Sequence, residues 1–192
     1  EAASRANLRN LVLPKIAALE KEIDMLQTEH EHKMLPGVKL AEDMVFTVNE
    51  QEAVEEKDLI VMAVASSYTR ATAKRFSKFV APGQIIVNVA KGIEEDTVMT
   101  LSEIIEQEIP QAVVAVLSGP SHAEEVGRGV PTTIVVGAKK KTTAEFIRSL
   151  FMNDVFRVYI SPDVLGIELG GSLKNVVALA AGIADGLGYG DN

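Results

Sequence analysis

One lysine stands inside the small-residue segment Gly170-Gly171-Ser172-Leu173-Lys174-Asn175-Val176-Val177-Ala178-Leu179-Ala180-Ala181-Gly182. A charge in such a stretch is costly unless it is used or paired. A desolvated lysine holds its proton less tightly, which suits it to proton transfer or to gripping an anionic substrate. The other reading of Lys174 is a side chain that snorkels to solvent at a helix end, and the segment alone leaves both open. A second lysine, Lys91, follows the apolar run Val87-Asn88-Val89-Ala90. A third stretch, Ser118-Gly119-Pro120-Ser121-His122-Ala123-Glu124-Glu125, leaves another apolar run, turns and opens a helix. The free amides of a helix start can hold an anion or a polar group of a cofactor. Taken singly, Ser121 is a plain helix cap and Gly119-Pro120 a plain turn. Taken together, Lys91, Ser121 and Lys174 point to a site, because each falls where an open parallel sheet places its ligands. Metal and triad chemistry find less support. His30 and His32 are two residues apart on a helix and face different ways, His122 has no obvious partner, and the acids lack a ligand spacing.

These residues need elements to carry them. Val12, Ile16, Leu19, Ile23 and Leu26 form one apolar stripe, so a helix is expected to about His32. Pro14 belongs in its first turn or kinks it. The stripe suits a helix packed on a sheet; a short coiled coil between two copies is the second expectation. Leu35-Pro36-Gly37-Val38 reads as a turn. Apolar runs then alternate with helical segments, and strands are expected at Val45–Val48, Leu59–Val64, Ile85–Val89, Val113–Leu117, Thr132–Val136 and Val155–Ile160. Their continuous apolar character implies burial on both faces. Asn49 with Glu52, Ser121 with Glu124, and Thr142 with Glu145 each fit a helix cap followed by a carboxylate. The alternation specifies an α/β fold with a doubly wound, mainly parallel sheet. After Pro162 the strands stop, and a small-residue helix runs to about Ile183; that shift marks a domain boundary.

Bulk properties narrow the partners. The chain has 192 residues, a net charge of −8 and no cysteine. The acidic balance argues against nucleic acid or an anionic membrane. Disulfides and thiolate zinc are excluded, which suits a reducing cytoplasm. No apolar run is expected to reach membrane length, because Glu168 and Lys174 interrupt the longest. The sequence begins without Met and lacks a signal-peptide core, which fits a processed, trimmed or partial chain.

Five ordered motifs resemble the bacterial type of NAD(P)-dependent glycerol-3-phosphate dehydrogenase. They are Leu35-Pro36-Gly37-Val38-Lys39-Leu40, Ala90-Lys91-Gly92-Ile93-Glu94, Leu117 to Val126, Gly170 to Val176, and Gly182 to Asn192. The resemblance implies interconversion of sn-glycerol 3-phosphate and dihydroxyacetone phosphate, with hydride passing between substrate C2 and NAD or NADP. It implies that Lys174 exchanges the proton on the C2 oxygen and that Lys91 contacts substrate and cofactor. Gly119, Ser121 and Asn175 match substrate-side positions, and Ala123 a cofactor contact. The implied organisation is a partial dinucleotide-binding Rossmann-like domain over 1–162, with an atypical helix at about 5–32, and the first helix of an all-α substrate domain over 163–192. The sequence departs from the family at both ends. The Gly-x-Gly-x-x-Gly turn that cradles pyrophosphate does not occur, and residues 1–22 contain no glycine. The chain also ends within the family's helical domain. The expectation is an incomplete enzyme, truncated or rearranged, that binds cofactor very weakly by itself. Two other functions stay open: a related dehydrogenase of another small hydroxy acid, and a non-catalytic module that oligomerises through the N-terminal stripe.

Overall fold

The computed structural model describes residues 21–189. The first part of the apolar stripe, Val12 to Leu19, and Pro14 lie outside the described residues, as do 190–192. Residues 21–29 form helix α1, on which Ile23 and Leu26 are half-buried. The helix ends at His30, which takes a left-handed φ of 48°. The Pro36-Gly37 turn is present: the Gly37 amide donates to Glu31 Oε1 at 2.9 Å, and Lys39 returns to pair with Glu31.

Strands and helices then alternate in the order α2 (Glu50–Val54), β1 (Leu59–Met62), α3 (Thr69–Phe76), β2 (Ile85–Asn88), α4 (Leu101–Glu108), β3 (Val113–Ser118), α5 (Ala123–Gly127), β4 (Thr132–Ala138), α6 (Lys141–Phe151), β5 (Phe156–Ser161) and α7 (Val164–Gly186). The five strands form one sheet in chain order. β1, β2 and β3 are parallel, β4 runs antiparallel to β3, and β5 is parallel to β4. The sheet is therefore mainly parallel and Rossmann-like, as the alternation required.

The continuous apolar runs are explained by cover on both sides. Ile60, Met62, Ile86 and Val114 pack with Val54, Ile105 and Ile109 on one face. Val87, Ala115, Leu117, Ile134 and Val158 pack with Ala144 and Ile147 on the other. Successive strand residues thus enter opposite cores, as a period of two demands. β1 departs from this pattern, since Val61 is 46% exposed.

Four expectations need correction. Val45–Val48 is not a strand: the segment is irregular, and Val45 and Val48 are exposed. Among the described residues its β-branched content has no strand to pair with, and strand propensity is realised only through such packing. Of the three cap signals, Asn49 accepts from the amides of Gln51 and Glu52 as expected. Ser121 and Thr142 cap nothing, because α5 starts after His122 and α6 after Lys140. The reciprocal capping box is instead Thr100 with Glu103 at the start of α4. Finally, α7 spans 23 residues and contains an 18-residue stretch of mean hydropathy 1.4, which is enough by length and composition to cross a membrane. Its first turns instead pack against β3 and β4.

Candidate active site

The carboxyl ends of β2 and β3 and the first half of α7 meet around a cavity of about 730 Å³, a size ordinary for a small-molecule site. Lys91, Gly119, Ser121, Ala123 and Lys174 all line it, with Ser118, Gly170 and Gly171. Five of the six residues singled out in the sequence therefore share one wall. Asn175 does not: it lies exposed on α7, outside the lining.

Each segment reaches the cavity for a local reason. Beyond β2, the side chain of Asn88 is fully buried and folds back on its own loop. Its Oδ1 accepts from the Ala90 amide and its Nδ2 donates to the Ala90 carbonyl, both at 3.1 Å. That self-contained turn holds Lys91 at the strand end. The loop is pinned further out by Arg70, which grips both Glu94 oxygens at 2.8 and 2.6 Å and donates to Glu108 at 2.6 Å. Beyond β3, a Cβ on Gly119 would stand 2.9 Å from the Ile134 Cα, so only glycine lets the loop turn this tightly against β4. On α7, a Cβ on Gly171 would meet Ser118 Oγ at 2.8 Å, and the missing side chain lets the helix close on the end of β3.

The electrostatics separate the two lysines. Lys91 is half-buried, and burial, with the charge of Lys174 added, holds its pKa below the usual lysine range. Its Nζ donates to Ser121 Oγ at 3.2 Å, so the Ser121 hydroxyl orients Lys91 rather than capping α5. The desolvation expected of Lys174 is instead found at Lys91. Lys174 is exposed among the described residues, and so are Leu173, Val176, Val177 and Leu179 around it. Arg70 and Glu94 reinforce each other: the guanidinium lowers the Glu94 carboxyl to about 2, and the two carboxylates push Arg70 higher still.

Sequence reasoning missed several contributors. Asn88 was readable as an Asx turn, and Thr100 with Glu103 as a capping box. His122 has a partner after all, with its Nδ1 2.9 Å from Glu124 Oε2. Glu168 meets Ser102, and Ser172 meets Gly92, across long separations that carry no local signal. Among the described residues no group of His, Asp and Glu could hold a metal ion. The arrangement can bind a small anion between two ammonium groups and deliver a proton from either.

The profile of the NAD-dependent glycerol-3-phosphate dehydrogenase N-terminus matches residues 9–144, and that of the C-terminus matches 163–192. Glycerol-3-phosphate dehydrogenase [NAD(P)+] of Agathobacter rectalis is 62% identical over 175 residues, covering 91% of this chain and 52% of the relative. The Fusobacterium nucleatum protein of the same name is 53% identical, covering 90% of this chain and 52% of the relative. The crystal structure of glycerol-3-phosphate dehydrogenase from Coxiella burnetii superposes with a TM-score of 0.79 at 29% identity, covering 90% of this chain and 53% of that one. The chain spans about half the length of the relatives it matches.

Proposed function

We infer the function of this chain from its membership: it belongs to the NAD-dependent glycerol-3-phosphate dehydrogenase family. The chain carries the substrate-end chemistry of an oxidoreductase that interconverts sn-glycerol 3-phosphate and dihydroxyacetone phosphate with NAD(P). One observation carries this reading: a single cavity gathers Lys91, Gly119, Ser121, Ala123 and Lys174 from three distant segments. Residues 1–162 are read as a partial dinucleotide-binding domain and 163–192 as the opening helix of a substrate domain, with a cytoplasmic location.

The residues present fit part of the cofactor's site. Lys91 has donors to spare beyond Ser121, and Ala123 and the glycines leave the wall open to a planar ring. The glycine-rich turn for pyrophosphate has no counterpart in the sequence. NAD(P), when bound, supplies the hydride chemistry. The chain's own part is to bind, orient and move a proton. Lys174 gives a proton to the C2 oxygen of the ketone and takes one back in the reverse direction. Its ammonium also stabilises the negative charge that develops on that oxygen. Lys91, aimed by Ser121, holds substrate oxygen and the cofactor side of the cavity.

A chimera tests this. The 175 matched residues replace their counterpart in the Agathobacter rectalis relative. Reduction of dihydroxyacetone phosphate at the expense of NADH or NADPH is expected. Lys174→Ala should lower kcat by roughly two to four orders of magnitude, as loss of a general acid does. A folded but inactive chimera would overturn the reading, and near-normal kcat in Lys174→Ala would remove Lys174 from the chemistry.

A further inference from the structure

Glu168 is a buried carboxylate, 6% exposed, that lies outside the cavity lining. Its two oxygens accept from the Ser102 amide at 2.9 Å and from the Ser102 hydroxyl at 2.5 Å. Ser102 sits in the first turn of α4, which the Thr100–Glu103 capping box holds in place. One turn along α7, the Ser172 hydroxyl donates to the Glu168 carbonyl at 2.8 Å and accepts from the Gly92 amide at 3.1 Å. Gly92 follows Lys91 directly, and Lys174 lies two residues beyond Ser172. A line of hydrogen bonds thus runs from α4 through Glu168 and Ser172 to the loop of one lysine, beside the root of the other.

A buried charge is a poor choice for adhesion alone, since apolar packing of similar volume commonly serves as well. It is a good choice for fixing register. A helix resting on apolar contacts can rotate or slide. A slip of one residue shifts it by about 1.5 Å and turns each side chain by about 100°. Such a turn would carry Lys174 off the cavity wall. We propose that Glu168 and Ser172 form a latch that sets Lys174 in place relative to Lys91, and that both are positioning residues of this site. The proposal rests on the proposed function only for what the two lysines do.

The test reads the distance between the lysines through their charges and requires no substrate or cofactor. The titration of Lys91 is followed by 13C NMR of the dimethylated chain, with Lys91→Arg giving the assignment. In the native background Lys174→Met should raise the Lys91 midpoint, because one neighbouring positive charge is removed. In Glu168→Ala the same Lys174→Met change should leave the midpoint unmoved. Glu168→Gln keeps an oxygen for the Ser102 amide and should keep the coupling. His122, Glu124 and Glu125 share the cavity wall and are present in every variant compared, so their influence cancels in the difference. Full coupling in a folded Glu168→Ala chain would overturn the latch. Should Glu168→Ala fail to fold, Ser172→Ala carries the same comparison: lost coupling, restored in Ser172→Thr, supports the latch, and retained coupling overturns it. An inactive chimera would refute the proposed function and leave this result standing.

Discussion

Gly119→Ala should destabilise the chain by a definite mechanism. The added Cβ would stand 2.9 Å from the Ile134 Cα, 3.1 Å from its Cβ and 3.1 Å from the Thr133 carbonyl oxygen. The neighbours cannot yield cheaply. β4 is bonded to β3 on one side and to β5 on the other, and Ile134 is itself 3% exposed. The loop after β3 must therefore move outward. Overpacking of this kind costs about 1–3 kcal/mol. In a domain of this size each kcal/mol lowers Tm by about 2–4 °C. The chain has no tryptophan, so far-UV circular dichroism is the suitable probe for thermal and urea melts. Gly182→Ala is the matched control: nothing lies within 4 Å of its Cβ position on α7, and alanine in a helix interior should gain roughly 0.5–1 kcal/mol. The outward shift should also part Ser121 from Lys91, now 3.2 Å from its Nζ. If Gly119→Ala melts with the native chain while Gly182→Ala shows its gain, the tight approach of this loop to β4 is wrong.

Acid stability should depend on Glu94, whose folded carboxyl lies at about 2 against an ordinary 4.5. Its contribution is complete above pH 4.5 and is lost as the pH falls toward 2; urea titrations across that range should show a shallower loss in Glu94→Gln, and an unchanged slope would refute the assignment. Lys91 contributes a burden where Glu94 contributes stability, although both lowered pKa values make the chain more stable as the pH rises. Its protonated form is disfavoured in the folded chain, so its burden is present at neutral pH and disappears as the pH rises from the lowered pKa to the ordinary 10.5. Lys91→Met should raise Tm at pH 7, and a lower Tm would show that the ammonium is structurally needed. Ile105→Ala, at a fully buried position on α4, should cost about 2–5 kcal/mol by urea denaturation. NADH titrated calorimetrically into this chain should bind only very weakly, because each lost amide contact to a charged phosphate is worth about 1.5–3 kcal/mol; micromolar affinity would show a phosphate cradle elsewhere.

The sheet was legible because its signal is local and redundant. Ile85-Ile86-Val87 and Val113-Val114-Ala115-Val116-Leu117 are unbroken because both of their faces are covered. That Lys91, Ser121 and Lys174 come to one cavity was legible because strand ends and a lone charge in an apolar helix are visible in one dimension. The failures share one cause. Val45–Val48 has strand residues without a strand to pair with among the described residues, and Ser121 has a cap-like type whose hydroxyl is claimed by a lysine 30 residues away. The charge of Lys174 stands in an apolar sequence, but that sequence lies at the surface of the described residues. Glu168 and Ser102 are 66 residues apart, and no periodicity connects them. Propensity reports what a residue suits; only packing reports what it is given.

The partial docking of α7 gives it the mechanics of a cantilever. Its root is clamped at Glu168 and Ser172, and its outer turns, from Val176 to Ile183, project with their apolar side chains uncovered among the described residues. At about 1.5 Å per residue, Lys174 stands about 3 Å past the clamp, whereas the end of the helix overhangs by about 20 Å. A tilt of about 5° would swing the tip by nearly 2 Å and the lysine's backbone by only about 0.3 Å. A load on the outer turns is thus geared down before it reaches the lysine. Whatever seats against that lever can be large and can move without disturbing Lys174 near its pivot.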